Sequence, residues 1–133
     1  MRKLRARAAD DQGAAPVEFV LVGTLLTALT LAVLQLALAI YVRNVVHDAA
    51  VEGAHYAALA DVGRDAGRAR TAEVITRAVG ASYADDITVG HSTALGHDTV
   101  TVKVRTAVPI VGLIGIPAAW EVTAHAPMED LGE

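Results

Sequence analysis

Hydrophobic positions fall into three regimes along the chain. From Phe19 to Val42 they are continuous (FVLVGTLLTALTLAVLQLALAIYV), without a charge and with Gln35 as the most polar member. At about 1.5 Å of rise per residue, a helix of that length reaches roughly 36 Å, enough for a bilayer core of about 30 Å. The run predicts a segment that spans a membrane, or that packs among identical helices replacing one. Beyond Arg43 the apolar positions thin to helical spacing, with Val46, Ala49, Ala50, Gly53, Ala57 and Ala60 recurring and Asp48, Glu52 and His55 elsewhere around the helix. Pro16 suits a first helical turn and disfavours helix at Ala15, so one long helix is expected from about residue 16 to 60. Ala28 and Ala32 inside the run, and Ala49, Gly53 and Ala57 beyond it, stand four residues apart, a spacing of small residues at which helices can approach closely.

Gly63 to Gly67 reads as a hinge. A second helix is expected from about Asp65 to Val79, with Ala72, Ile75 and Val79 on one face and Gly80 where a C-cap belongs. The period then changes to two. Ile87 and Val89 mark a short strand. Val100, Val102 and Val104 alternate with Thr99, Thr101, Lys103 and Arg105 in a half-buried one, and Trp120, Val122 and Ala124 alternate with Glu121, Thr123 and His125. The fold class is therefore α+β: a long N-terminal helix continuing into a small globule of one further helix and a three-stranded antiparallel sheet, helix-covered on one face. Pro109 to Pro117 (PIVGLIGIP) is an apolar connection that either folds over the open end of the core, the reading favoured here, or makes a partner or membrane-surface contact, and Met128 to Glu133 is an acidic tail.

Composition narrows the chemistry. The chain is 53% hydrophobic with the excess in its first third, leaving room after Val42 for one small domain. A formal net charge of −4 gives no basic surface for nucleic acid. The basic cluster Arg2, Lys3, Arg5 and Arg7 precedes the apolar run, which under the positive-inside tendency keeps that end cytoplasmic and exports the residues beyond Val42. Cysteine is absent, and with it disulfides, thiolate metal sites and a lipidated cysteine. His47 and His55 are two turns apart, lacking the i, i+4 ligand spacing; His91, His97 and His125 could meet across the sheet, but no acidic pattern completes a site. Ser82 and Ser92 lack a base nearby in sequence, and there is no phosphate loop. The expectation is a non-enzyme with no metal, no cofactor and no small-molecule substrate.

The informative oddity is Glu18, flush against the apolar run, because a carboxylate at that edge is costly and such groups are usually paired and functional. Gly13, four small or apolar residues, Glu18, Phe19 and the long run (GAAPVEFVLVGTLL) resemble a type IV prepilin signal, most closely that of the TadE-like minor pilins of the tight-adherence (Tad/Flp) pilus family. The resemblance implies a leader, 1–13, removed by a prepilin peptidase that cuts between Gly13 and Ala14. A transmembrane or filament-core helix, 14–43, and a small exported domain, 44–133, would come after it. It further implies partners among pilin subunits and the pilus assembly platform, subunit registration by Glu18 and Phe19, and a place in the bacterial cytoplasmic membrane or a cell-surface pilus. Once Ala14 carries a new ammonium, Glu18 one helical turn on can pair with it or with a neighbour's, lowering the cost of a charge beside hydrocarbon. The leader holds four of the 11 Lys/Arg and two of the 15 Asp/Glu, so its loss makes the chain more acidic. Pro16 at the third mature position, and Phe19 where the major Flp subunit has tyrosine, depart from the family pattern; the phenylalanine and an exported part of 91 residues favour a minor pilin or pseudopilin over the shorter main subunit.

Two other readings remain open. Ala37-Leu38-Ala39 formally satisfies a signal-peptidase rule, giving a secreted protein starting at Ile40, although the run exceeds the usual signal core of about 7–15 residues. An uncut signal-anchored protein with a small exported binding domain is the other.

Overall fold

The computed structural model describes residues 2–59, 61–93, 96–109 and 116–128, with the backbone alone at 2–13 and 116–119. In chain order the elements are α1 (Arg2–Ala58), α2 (Arg64–Ala78), a 3-10 turn (Ala81–Tyr83), β1 (Asp86–Ser92), β2 (Thr99–Val108) and β3 (Ile116–Pro127). Contacts divide the chain into two units, Met1–Leu36 and Ala37–Glu133. Of the sequence expectations, the long apolar helix, the one further helix and the antiparallel three-stranded sheet are all present.

The start of α1 differs from expectation. The helix does not begin near Pro16 but runs through it from Arg2. Proline costs a helix interior the hydrogen bond to the carbonyl four residues back, yet it is compatible with helical φ. The residues ahead of it are mostly Arg, Ala, Leu, Lys and Gln, the strongest helix formers, and they carry the helix upstream.

In the second unit, the C-terminal part of α1 supplies Val42, Val46, Ala49, Ala50, Ala54, Ala57 and Ala58 to a single core cluster with Ile75 of α2 and Ile87, Val100, Val102, Val104, Val122, Ala124 and Ala126 of the sheet. Among the described residues no aromatic is fully buried and Ile75 is the largest side chain that is, so this core depends on close backbone approach. Gly67, expected within a hinge, instead lies inside α2 and is buried against α1. A Cβ built on Gly67 meets the Ala57 Cβ at 2.4 Å and the Gly53 carbonyl oxygen at 2.8 Å; one on Gly53 meets Thr71 Oγ1 at 1.8 Å and the Gly67 carbonyl oxygen at 2.9 Å. The buried face of α2 is thus Gly67, Thr71 and Ile75, with Ala72 and Val79 only partly covered. The Thr71 hydroxyl donates to the Gly67 carbonyl at 3.0 Å, so its burial leaves no polar atom unmet. Beside the crossing, Arg70 of α2 donates to Glu52 of α1 (Nε to Oε1, 2.8 Å) and to Glu73 (Nη1 to Oε2, 3.2 Å). The hydrogen bond and charge of Glu52, with help from Glu73, hold the Arg70 guanidinium above its ordinary pKa. α2 ends where Gly80 adopts φ +108° and its N–H reaches back to the Ile75 and Thr76 carbonyls, a conformation glycine takes without strain.

The sheet is a meander in the order β1-β2-β3, antiparallel throughout, with a bulge between Thr106 and Val108. Val100, Val102, Val104 and Thr106 face the core, the Thr106 hydroxyl donating to the Tyr83 carbonyl at 3.2 Å. The expected half-buried alternation fails at the start of β2, where Thr99 and Thr101 are buried as well. Both are threonines with a partner for the hydroxyl: Thr99 donates to the His97 carbonyl and Thr101 lies 3.0 Å from His125 Nδ1. Most of the Pro109–Pro117 connection and of the acidic tail lies outside the described residues.

Gly67→Ala is expected to destabilise the folded unit by about 1–3 kcal/mol of overpacking strain, despite alanine's better helix propensity. Gly90→Ala, whose Cβ meets nothing within 4 Å, should stay within about 0.5 kcal/mol of the parent. Thermal unfolding of the two variants side by side checks the contrast.

Candidate functional site along the exposed apolar helix

Between Ala14 and Leu34 every side chain of α1 is exposed. Phe19 is 80% exposed, Leu25 62% and Leu36 63%. Burying a Val, Leu or Phe side chain is worth roughly 1.5–3 kcal/mol, so a dozen left in water forfeit on the order of tens of kcal/mol, more than the net stability of about 5–15 kcal/mol that a whole domain has. Water is therefore the wrong solvent for this stretch. It lies in the one helix, among the described residues, that is long and apolar enough to cross a membrane.

The polar groups within the run are dealt with locally. The hydroxyls of Thr24, Thr27 and Thr30 each donate to the carbonyl four residues back, Val20, Gly23 and Leu26, at 2.8 Å. With those bonds made inside the helix, three threonines add no unsatisfied donor to an apolar surrounding.

The sequence-predicted residues separate into two groups. Ala14 and Glu18 are both exposed and, four residues apart on a helix, share one face a single turn apart, with Phe19 beside them. Gly13 lies in the same helix with only its backbone described. Ala28 and Ala32 form a second exposed one-turn pair. Ala49, Gly53 and Ala57 are buried, and the close approach at Gly53 and Ala57 is to the chain's own α2. Sequence reasoning missed Thr71 and the packing role of Gly67. The pattern Gly67, Thr71, Ile75 at i, i+4, i+8 was the signal available, matching the stripe Ala49, Gly53, Ala57 on the preceding helix.

His91 pairs with Val100 and His125 with Thr101, register positions on opposite faces of the sheet, although both border one hollow at the end of the strands. Among the described residues no three His, Cys, Asp or Glu side chains are grouped so as to hold a metal ion.

The family model described as TadE-like protein matches residues 13–55. The match opens at Gly13, takes in Glu18 and the whole apolar run, and ends within the buried stripe of α1, before α2 and the sheet. Over this stretch the chain is similar to TadE-like proteins, a family associated with Tad pili. No curated protein and no solved structure gives a significant match to the chain.

Leu31, near the middle of the run, is exposed. Leu31→Arg adds about 2.5–3.5 kcal/mol to the free energy of insertion. It is expected to cut the carbonate-resistant, membrane-integrated fraction at least by half.

Proposed function

We propose that this chain, TadE-like from Gly13 to His55, is a minor pilin or pseudopilin of a Tad/Flp-type IV pilus, trimmed by a prepilin peptidase after Gly13. The observation that carries the reading is the coincidence of the family match with the junction: it begins at the glycine, five residues before a carboxylate that opens a run of exposed apolar side chains. Residues 1–13 serve as leader, 14–43 as the membrane or filament-core helix and 44–133 as the exported domain. The basic residues of the leader hold the N-terminus cytoplasmic.

Gly13 and Pro16 make the junction the weak point of the helix that contains it. A helix-interior glycine costs about 1 kcal/mol relative to alanine, and Pro16 offers no N–H to the carbonyl of Gln12. A peptidase must hold its substrate bond in an unwound form, and this segment unwinds at less cost than the run beyond it. Hydrolysis adds water across the Gly13–Ala14 bond, leaving a carboxylate on Gly13 and an ammonium on Ala14. Glu18, one turn away, then faces that ammonium or one from a neighbouring subunit. The pair registers one helix against the next, and other pilins and the assembly platform are the partners it serves.

N-terminal sequencing of the protein recovered from cells tests the cut. A start at Ala14 is expected, and Gly13→Ala should retain Met1. A start at Ile40 in the parent protein identifies a secreted protein instead, and a parent start at Met1 an uncut anchor; either overturns the proposal. Glu18→Ala should be processed normally yet fall at least about tenfold in the sheared pilus fraction, the change that ~1.4 kcal/mol of lost pairing produces. Normal assembly of that variant removes the registering role.

A further inference from the structure

The face of the sheet turned away from the helices has an electrostatic character at odds with the rest of the chain. The strand register places its side chains in rows: Asp86, Arg105 and Glu121; then Thr88, Lys103 and Thr123; then Gly90, Thr101 and His125. The second and third rows, with His91 and Ser92 at the edge, line a hollow of about 540 Å³. No Asp or Glu lines it, although the chain carries 15 acidic residues and a formal charge of −4.

Three features make the hollow a cradle for negative charge. Gly90 leaves its floor open, since a Cβ there meets nothing within 4 Å. Thr101 is 8% exposed and its hydroxyl lies 3.0 Å from His125 Nδ1; in the tautomer in which the hydroxyl donates, the ring proton sits on Nε2, where the imidazole is itself a donor. Lys103, exposed in the middle row, makes no ion pair among the described residues. The nearest acids explain why it is left without one. Asp86 and Glu121 flank Arg105 one row along, Glu121 accepting from its Nε at 3.0 Å, and both raise its pKa. Arg105 thus takes up the carboxylates that could neutralise Lys103.

The geometry points to a binding site for a tetrahedral oxyanion of the phosphate or sulfate class, free or as a monoester, held by the Lys103 ammonium, the hydroxyls of Thr88 and Thr123 and the His125 imidazole. The side chains converging on the hollow present an ammonium, hydroxyls and an imidazole N–H and no carboxylate, which suits an anion and not a cation. A lysine ammonium serves as a point charge for such a group. The site is open to solvent, so its affinity belongs in the millimolar range, on the order of 1–10 mM.

The test uses the full chain, 15N-labelled, in a nonionic detergent micelle. Sodium phosphate is titrated against sodium chloride at constant ionic strength, following the amide signals of Gly90, Thr101 and Thr123. Saturable shifts with phosphate and not with chloride are expected. Lys103→Gln should weaken binding at least about fivefold and Lys103→Arg by less than about twofold. Gly90→Val, which fills the floor without changing charge, should abolish it while the remaining amide spectrum keeps the parent's dispersion. Glucose 6-phosphate separates the sources: affinity equal to inorganic phosphate assigns the site to the free anion, and at least fivefold tighter binding to an anion borne on a sugar. Non-saturating shifts, identical shifts with chloride, or an unchanged affinity in Lys103→Gln overturn the site.

Discussion

The fold beyond the apolar run rests on how closely α1 and α2 approach. Its core is assembled from alanines, valines and one isoleucine from each of α2 and β1, so little apolar area is available per residue and stability has to come from contact at short range. That range is set where Gly53 and Gly67 face each other and neither position has room for a methyl group. Once the helices are that close, Thr71 can be buried with its hydroxyl turned back on its own helix, and Glu52 can reach Arg70 across the crossing. The ion pair is exposed and contributes little to stability by itself. It marks the register in which the two glycines meet.

One helix therefore answers to two kinds of surroundings. From Phe19 to Leu36 its side chains are built for an apolar medium, with threonine hydroxyls folded back onto backbone carbonyls. From Ala39 onward the same helix turns a stripe of small residues to a protein core. Small residues thus serve different ends along it: Gly53 and Ala57 are held by the chain's own second helix, while Ala28 and Ala32 stay exposed and available to another apolar surface. Glu18 sits at the head of the first stretch and is the group for which that stretch by itself gives no structural need.

Much of this was legible in the sequence because period and composition carry it. The apolar run, the valine alternation of β2 and the glycine after α2 identify their elements unaided. What was misread has physical causes. Pro16 marked a helix start only if the residues ahead of it had no helix propensity, and their Arg, Ala, Leu and Gln have a great deal. Gly67 looked like a turn because glycine is ambiguous: the same missing side chain serves a bend or a close approach, and only the partner helix tells which. Thr99 and Thr101 fit the outward half of an alternating strand, yet a hydroxyl with a local acceptor can be buried. The histidines of β1 and β3 do border one hollow, but register sets them on opposite faces and no acidic group joins them. Lys103 gave no signal, since its isolation depends on Arg105 standing between two carboxylates from different strands.

The order β1-β2-β3 means that each strand hydrogen-bonds to the one made just before it, and α2 docks on the helix that immediately precedes it. Both strand pairings close short connections, which favours rapid formation of the meander. A chain threaded out from its N-terminal end can consequently assemble in the sequence in which it emerges, with α1 already present as the template for the later elements. The core face of α1, which shares its cluster with Val122, Ala124 and Ala126 of β3, is the surface left uncovered longest.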